Sequence, residues 1–323
     1  MQYKAYHKLN GFPNIIVDGS PTDNTVLSLS HWKGVPTSEI LKADVAAEVT
    51  FNYLSHPELK VDADFVSNDH FDEDGLVSVF TLVYPEYALR NKELLIGIAN
   101  AGDFGIYSDL QAARLSFIIS SYSSEKTSPL DSKIFQMKYS DQCEALYNEM
   151  LILLPELIEN TQRFKAHYEK EEDFLLESEF YFQNNFVQIE ELKDLDLAVI
   201  RVSPEIKAKR KTKVANLIHP MSIHNRTRCF KILLICENEY ELYYRYESWV
   251  DYISEKHPPR IDLHDFRWDL NLIENGFNEW KFTGVNAIIS RLKLKQEGGS
   301  SIGEWEFIDK LKKTLELLKN SMR

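Results

Sequence analysis

Three short β-branched runs lie within the first 70 residues, and each closes on residues able to do chemistry. "NIIVDG" (14–19) ends at Asp18-Gly19, "NTVLSLSHW" (24–32) at His31-Trp32, and "ADFVSN" (63–68) at Asn68, just before Asp69 and His70. Runs of this length bounded by turn residues read as buried strands. Helical spacing of apolar residues follows them. "PTSEILKADVAAEVTFNYLSH" offers Thr37 or Ser38 as an N-cap and has Pro57 just past its end, and "DEDGLVSVFTLVYPEY" predicts a helix beginning at or near Asp74. "ELLIGIANAGDFG" (93–105) reads as an apolar segment closing on a turn. Strands alternating with helices predict an α/β layer: a mainly parallel sheet with flanking helices.

The pattern changes after residue 190. Residues 133–180 read as long acidic helices, with Pro155 as a break or kink. "LDLAVIRV" is then a clear strand, and "CFKILLICENEYELYYRYE" reads as two strands about a turn at Glu237-Asn238. "EWEFIDKLKKTLELLKNSM" reads as a closing helix, and the basic run "KAKRKTK" (207–213) as a solvated loop. The expected organisation is an α/β domain over 1–190 and a smaller mixed α+β domain over 191–323.

Charge divides along the same line. Residues 1–190 hold 14 Lys+Arg against 30 Asp+Glu, and the remainder hold 23 against 20, giving −13 overall. An acidic half repels a nucleic-acid backbone, which argues against duplex binding there. Carboxylates can instead gather divalent cations, and a more basic half can attract a small anion. No apolar run reaches 18 residues, so no membrane span is expected. Three widely spaced cysteines without a CxxC fit a reducing compartment, and a cytoplasmic protein is expected. Cys143, in an apolar helical pattern, reads as core.

"SNDHFDEDGLVSVF" (67–80) is the most informative stretch. In open α/β sheets ligands bind beyond the carboxyl ends of the strands. Asp69, His70, Asp72 and Asp74 fall at such an end, before a helix N-terminus. In an extended segment His70, Asp72 and Asp74 point the same way. Crowded carboxylates repel unless a cation neutralises them. Oxygen ligands with an imidazole suit Mn²⁺ first, then Mg²⁺ or Fe²⁺. The competing reading is an acidic N-cap cluster favoured by the helix dipole alone. Asp18 and His31 end strands of the same layer; facing the same crevice, they would complete a two-metal set or, for His31, touch substrate. Taken alone, His31 reads as a hydrogen-bonded histidine beside Trp32. Asp44, Glu48, Asp62 and Asp64 read as solvated acids or caps. In the second half, "HPMSIHNRTRCF" read as an edge strand puts Arg226 and Arg228 on one face, where guanidinium groups match phosphate oxygens. "EGGSSIG" (297–303) reads as a flexible loop whose amides can cradle an anion.

"HFDEDGLVS" resembles the first motif, His-x-Asp-x-Asp-Gly before an apolar helix, of the DHH phosphoesterase superfamily. That resemblance implies a two-metal site at parallel strand ends in an α/β domain, with a second domain closing over phosphate. "LLIGIANAGDFG" resembles the superfamily's later Gly-x-x-x-Asp segment, which makes Asp103 a candidate ligand. "IIVDGS" resembles the strand bearing Asp-His-His, but Gly19 stands where the first histidine belongs, and the run precedes the first motif. The chain is also identified as a member of a bacterial family without an assigned activity that shares "VDG", "LSHW" and "HFDEDG". The function expected is a divalent-metal-dependent phosphoesterase-like hydrolase acting on a small phosphorylated or nucleotide substrate. Its metal would sit on Asp18, His70, Asp72, Asp74 and Asp103, its chemistry would rest on His70, Asp72 and Asp74, and Arg226, Arg228 and His31 would hold substrate. The alternative is a non-catalytic binding protein of the same fold with an incomplete metal site.

Overall fold

A computed structural model describes residues 1–275, 278–296 and 298–321, and the fold is a mixed α/β one with two sheets. The chain divides into two compact units, Met1–Asp173 with Val250–Lys256, and Phe174–Trp249 with His257–Arg323. The sequence pattern changes near residue 190, whereas the contacts divide at Asp173 and return a short segment to the first unit.

The first unit contains β1 (Gln2–Tyr3), β2 (Asn14–Val17), β3 (Thr25–Leu29), α1 (Ala46–Ser55), β4 (Phe65–Ser67) and α2 (Glu73–Val83). It continues through α3 (Pro85–Arg90), α4 (Lys92–Asp103), α5 (Leu110–Ser123) and α6 (Tyr139–Glu159). Its four strands pair in the order β1-β4-β2-β3, all parallel. Parallel pairing puts the carboxyl ends of β2, β3 and β4 at one edge, so the residues after Val17, Leu29 and Ser67 emerge side by side. Every residue of β2 is buried, as a strand covered on both faces requires. From Asp74 to Leu82, α2 is buried without interruption, and it packs on α1, α4 and the sheet. A helix apolar on all sides belongs in a core.

Three sequence expectations change here. The helix read from Thr37 or Ser38 begins only at Ala46, and its N-cap position is Val45, which supplies no side-chain cap. Thr37 instead donates to the Ser30 carbonyl at 2.7 Å and accepts from the Ser30 amide, closing the loop after β3. The apolar segment read over 93–105 is the helix α4, Lys92–Asp103, which ends in a turn at Phe104. Pro155 does not end α6: the helix runs on to Glu159, although proline removes the donor for the Leu151 carbonyl.

From α7 (Glu169–Gln183) the chain enters the second unit: β5 (Val187–Leu192), β6 (Leu197–Val202), α8 (Pro204–Arg210), α9 (Pro220–His224), β7 (Lys231–Cys236) and β8 (Glu239–Tyr244). Then come α10 (His264–Ile273), β9 (Trp280–Phe282), β10 (Arg291–Leu294) and α11 (Glu304–Ser321). The sheet order is β5-β6-β7-β8-β10-β9, antiparallel except for β6 with β7. One face packs under α10 and α11 around Trp280, Tyr240 and Phe307. The other is covered over β5–β7 by a cluster including Ile206, Val214, Leu217 and Ile223.

Two short helices stand where a loop and an edge strand were expected. Residues 207–210 of the basic run fall in α8, with Lys209 and Arg210 on Glu177 and Lys207 on Glu237 and Glu239. In "HPMSIHNRTRCF", Pro220 opens α9 and His219 Nδ1 accepts from the Met221 amide, so the segment is not a strand. Among the described residues, no helix is long and apolar enough to cross a membrane.

Candidate metal centre

The strands β2, β3 and β4 each deliver a polar residue within three positions of their ends: Asp18, His31 and His70. Asp18 follows Val17 directly at φ 44°, a left-handed conformation that aspartate tolerates better than most residues, and the chain turns back there. Gly19 permits this turn: a Cβ there would lie 2.7 Å from Asp69 Oδ1 and 2.9 Å from Asn68 Oδ1. Asp18 is thereby buried, at 1% exposure, against His31 from beyond β3 and His70 from beyond β4.

The two oxygens of Asp18 serve different imidazoles. Oδ1 lies 3.3 Å from His31 Nε2 and Oδ2 lies 3.4 Å from His70 Nε2. Around His31 Nε2 stand also Asp103 Oδ2 at 3.5 Å, delivered by the last residue of α4, and Asp74 Oδ2 at 3.8 Å, delivered by the first turn of α2. Around His70 Nε2 stands Asp72 Oδ2 at 2.8 Å. Two groups of donor atoms with metal-ligand spacing result, Asp18-His31-Asp74 and Asp18-His70-Asp72, sharing Asp18.

Backbone groups hold the His31 imidazole and both α2 aspartates, and the Asp69 carboxylate holds the His70 imidazole. His31 Nδ1 sits 2.5 Å from the Asp44 carbonyl, to which it donates, and this aims Nε2 at the carboxylates. His70 Nδ1 sits 2.9 Å from Asp69 Oδ1, the carboxylate–histidine pairing typical of metal-ligating imidazoles. Asp72 is the N-cap of α2, accepting from the Gly75 amide at 2.8 Å. Asp74 accepts from the Ala46 and Ala47 amides, each at 2.7 Å, and so caps α1 from another part of the chain. The acidic cap reading is therefore true of Asp72 and of Asp74, but capping leaves other features of the cluster unexplained.

Asp18 Oδ1 and Asp103 Oδ2 are buried with no hydrogen-bond partner. A buried carboxylate oxygen without a donor is costly, and native structures rarely keep one without a reason. The ionisation pattern says the same. Burial, then the charge of Asp18, pushes Asp74 up to about 8. Burial, then Asp74, Asp72 and Asp18, raises Asp103 well above the usual carboxylate range. Burial would raise Asp18 too, but His31 and His70 outweigh it and hold Asp18 low. Burial opposes the charge on both histidines, and it is outweighed by Asp18 at His31 and by Asp72 at His70, so both are raised. The cluster gathers four carboxylates around two imidazoles, and groups so arranged could hold a cation. A donor set of carboxylate oxygens and two imidazoles fits Mn²⁺, Mg²⁺ or Fe²⁺.

Of the sequence candidates, Asp18, His31, His70, Asp72, Asp74 and Asp103 come together in the first unit. Arg226 and Arg228 belong to the second. The Arg226 guanidinium is engaged by Glu179, the Ser222 carbonyl and the Phe182 ring. In the "EGGSSIG" segment, Glu297 lies outside the described residues; Ser300 and Ser301 are tied to Asn238 and Glu274. Asp44, read from sequence as a solvated acid or cap, has its Oδ1 on the Ile253 and Ser254 amides. Sequence reasoning did not assign Asp69 to His70, although the adjacency was a signal. It also missed Glu73, half-buried, which accepts from the Ser116 hydroxyl and is pushed up to about 7 by burial of its carboxyl and then Asp72.

The fold and cluster define an α/β protein with a carboxylate–imidazole centre at the carboxyl ends of a parallel sheet. The chain matches a family of unknown function (DUF6687) over residues 1–310, and it belongs to that family. No curated protein matches it.

Proposed function

We propose that the protein is a divalent-metal-dependent phosphoesterase-like hydrolase of the cytoplasm, acting on a small phosphorylated or nucleotide substrate. The observation that carries this reading is Asp18, whose two oxygens face two separate imidazole–carboxylate sets. One carboxylate shared between two ligand groups is the arrangement a dinuclear centre needs. His31, Asp74 and Asp103 would hold one ion with Asp18, and His70 and Asp72 the other; His31 then acts as a ligand, not as a substrate contact. Paired ions of this kind lower the pKa of a bound water and neutralise charge on phosphoryl oxygens. The chain's own part is positioning. The Asp44 carbonyl and Asp69 orient the two imidazoles, the α1 amides fix Asp74, and the Gly75 amide fixes Asp72. Mn²⁺ is the first choice of metal, with Mg²⁺ and Fe²⁺ next.

The test is turnover by the full chain, stripped of metal and then resupplied with Mn²⁺. Its panel is pyrophosphate, a chromogenic phosphodiester, and linear and cyclic dinucleotides. Hydrolysis that requires Mn²⁺ and disappears in Asp18→Asn supports the reading. Inactivity on every substrate by protein with demonstrated bound metal overturns it in favour of a binding protein.

A further inference from the structure

The second unit has a cleft of about 620 Å³ on the open face of its sheet, where the helical cover over β5–β7 stops. This volume lies in the range of small-molecule sites. Lys211, Lys213, Lys281, Lys293 and Lys295 line it. The two acids of its wall, Glu239 and Glu241, are engaged by Lys207 and Arg291, themselves cations. Lys281 and Lys293 are direct cross-strand neighbours, since β10 pairs with β9 in the register Lys293↔Lys281. Like charges directly opposite on a sheet destabilise it. A lysine on the edge strand β9 would guard that edge against pairing. Lys293, however, lies on β10, which is paired on both sides, so edge protection does not account for it. Among the described residues, no carboxylate lies within ion-pair distance of Lys211, Lys281 or Lys293. In a chain of net charge −13, a concentration of uncompensated cations in one concave place calls for an anion.

We propose that this cleft is a binding site for a small anion bearing two or more phosphate groups. Ammonium groups act as mobile point charges and suit a chain of phosphates, whereas two oxygens of a single phosphate are better met by the planar guanidinium fork. Among the described residues, the one aromatic side chain in the lining is Tyr240, which is buried, stacked on Phe307 and hydrogen-bonded to the Ile302 carbonyl. The described residues of the cleft therefore offer no platform on which bases stack, which disfavours single-stranded nucleic acid as its ligand. The site lies wholly within the second unit and does not rest on the metal-centre reading.

Calorimetric titration of chelator-treated full-length protein with inorganic triphosphate tests it. Saturable 1:1 binding is expected, weakening as NaCl is raised from 50 to 300 mM, because exposed charges are screened. Lys281→Gln with Lys293→Gln should weaken it at least tenfold, with a melting temperature equal to or above the parent's, because the like-charge pair is removed. Lys310→Gln with Lys312→Gln, on α11, removes the same charge elsewhere and should leave binding within twofold, as should Asp72→Asn in the metal cluster. Absence of saturable binding overturns the proposal. So does equal weakening by the α11 pair, or tighter binding of a single-stranded oligonucleotide than of triphosphate.

Discussion

Gly75→Ala sets two effects against each other, and the structure supplies their sizes. Gly75 lies in the first turn of α2 with ordinary helical φ, where alanine is favoured by about 0.5–1 kcal/mol. A Cβ there would sit 2.1 Å from Asn68 Nδ2 and 2.7 Å from Tyr147 Oη, far inside contact distance. Relieving the overlap requires Asn68 or α2 to move by about an ångström, and overpacking of this kind costs about 1–3 kcal/mol. Moving Asn68 also puts at risk the 3.2 Å hydrogen bond from the His70 amide to its Oδ1, worth about 1 kcal/mol. The overlap wins, and a net loss of about 1–3 kcal/mol is expected. For a unit of this size that corresponds to about 3–10 °C in melting temperature. The assay is thermal unfolding of metal-free protein followed by circular dichroism. Asn68→Ala removes the side chain that meets the new methyl, so the double variant should recover part of the loss beyond additivity. Gly75→Ala as stable as the parent, or more stable, would refute the reasoning, because the contacts around the glycine would then have room to yield.

Two further outcomes follow from particular contacts. Asp69→Asn weakens the partner that orients His70 and should lower Mn²⁺ affinity about 10–100-fold with little change in metal-free stability, as read by titration and melting. His219 is buried, and burial depresses it to about 4. A depressed histidine contributes stability that is fully present above its unfolded value near 6.5 and is lost as pH falls towards 4. Urea unfolding should show that loss, about 3 kcal/mol in full, and His219→Asn, which keeps an acceptor for the Met221 amide, should flatten it.

What could be read from the sequence was local. β2, β3 and β4, the start of α2, and the turn between β7 and β8 all follow from short-range pattern, because β-branched runs and turn residues act over a few positions. The start of α1 was not legible. Its capping acceptor is Asp74, some 28 residues downstream, and Thr37, which looks like a cap, serves a loop instead. α8 and α9 were missed for a related reason: α8 is bridged to Glu177, Glu237 and Glu239, residues far from it in sequence, and α9 depends on a histidine cap. The motif at 70–74 marked half of the cluster. Its junction with His31 and Asp103 depends on the parallel order of the sheet and on the end of α4, which no single motif encodes.

The central claim is that Asp18 joins two cation sites, and metal stoichiometry tests it most directly. Protein purified without affinity metal, stripped with chelator, dialysed against Mn²⁺ and measured by elemental analysis should hold two equivalents per chain. Asp18→Asn, which takes a shared ligand from both groups, should hold fewer than one. Wild-type protein that retains no metal, or an Asp18→Asn variant that retains as much as wild type, would contradict the account.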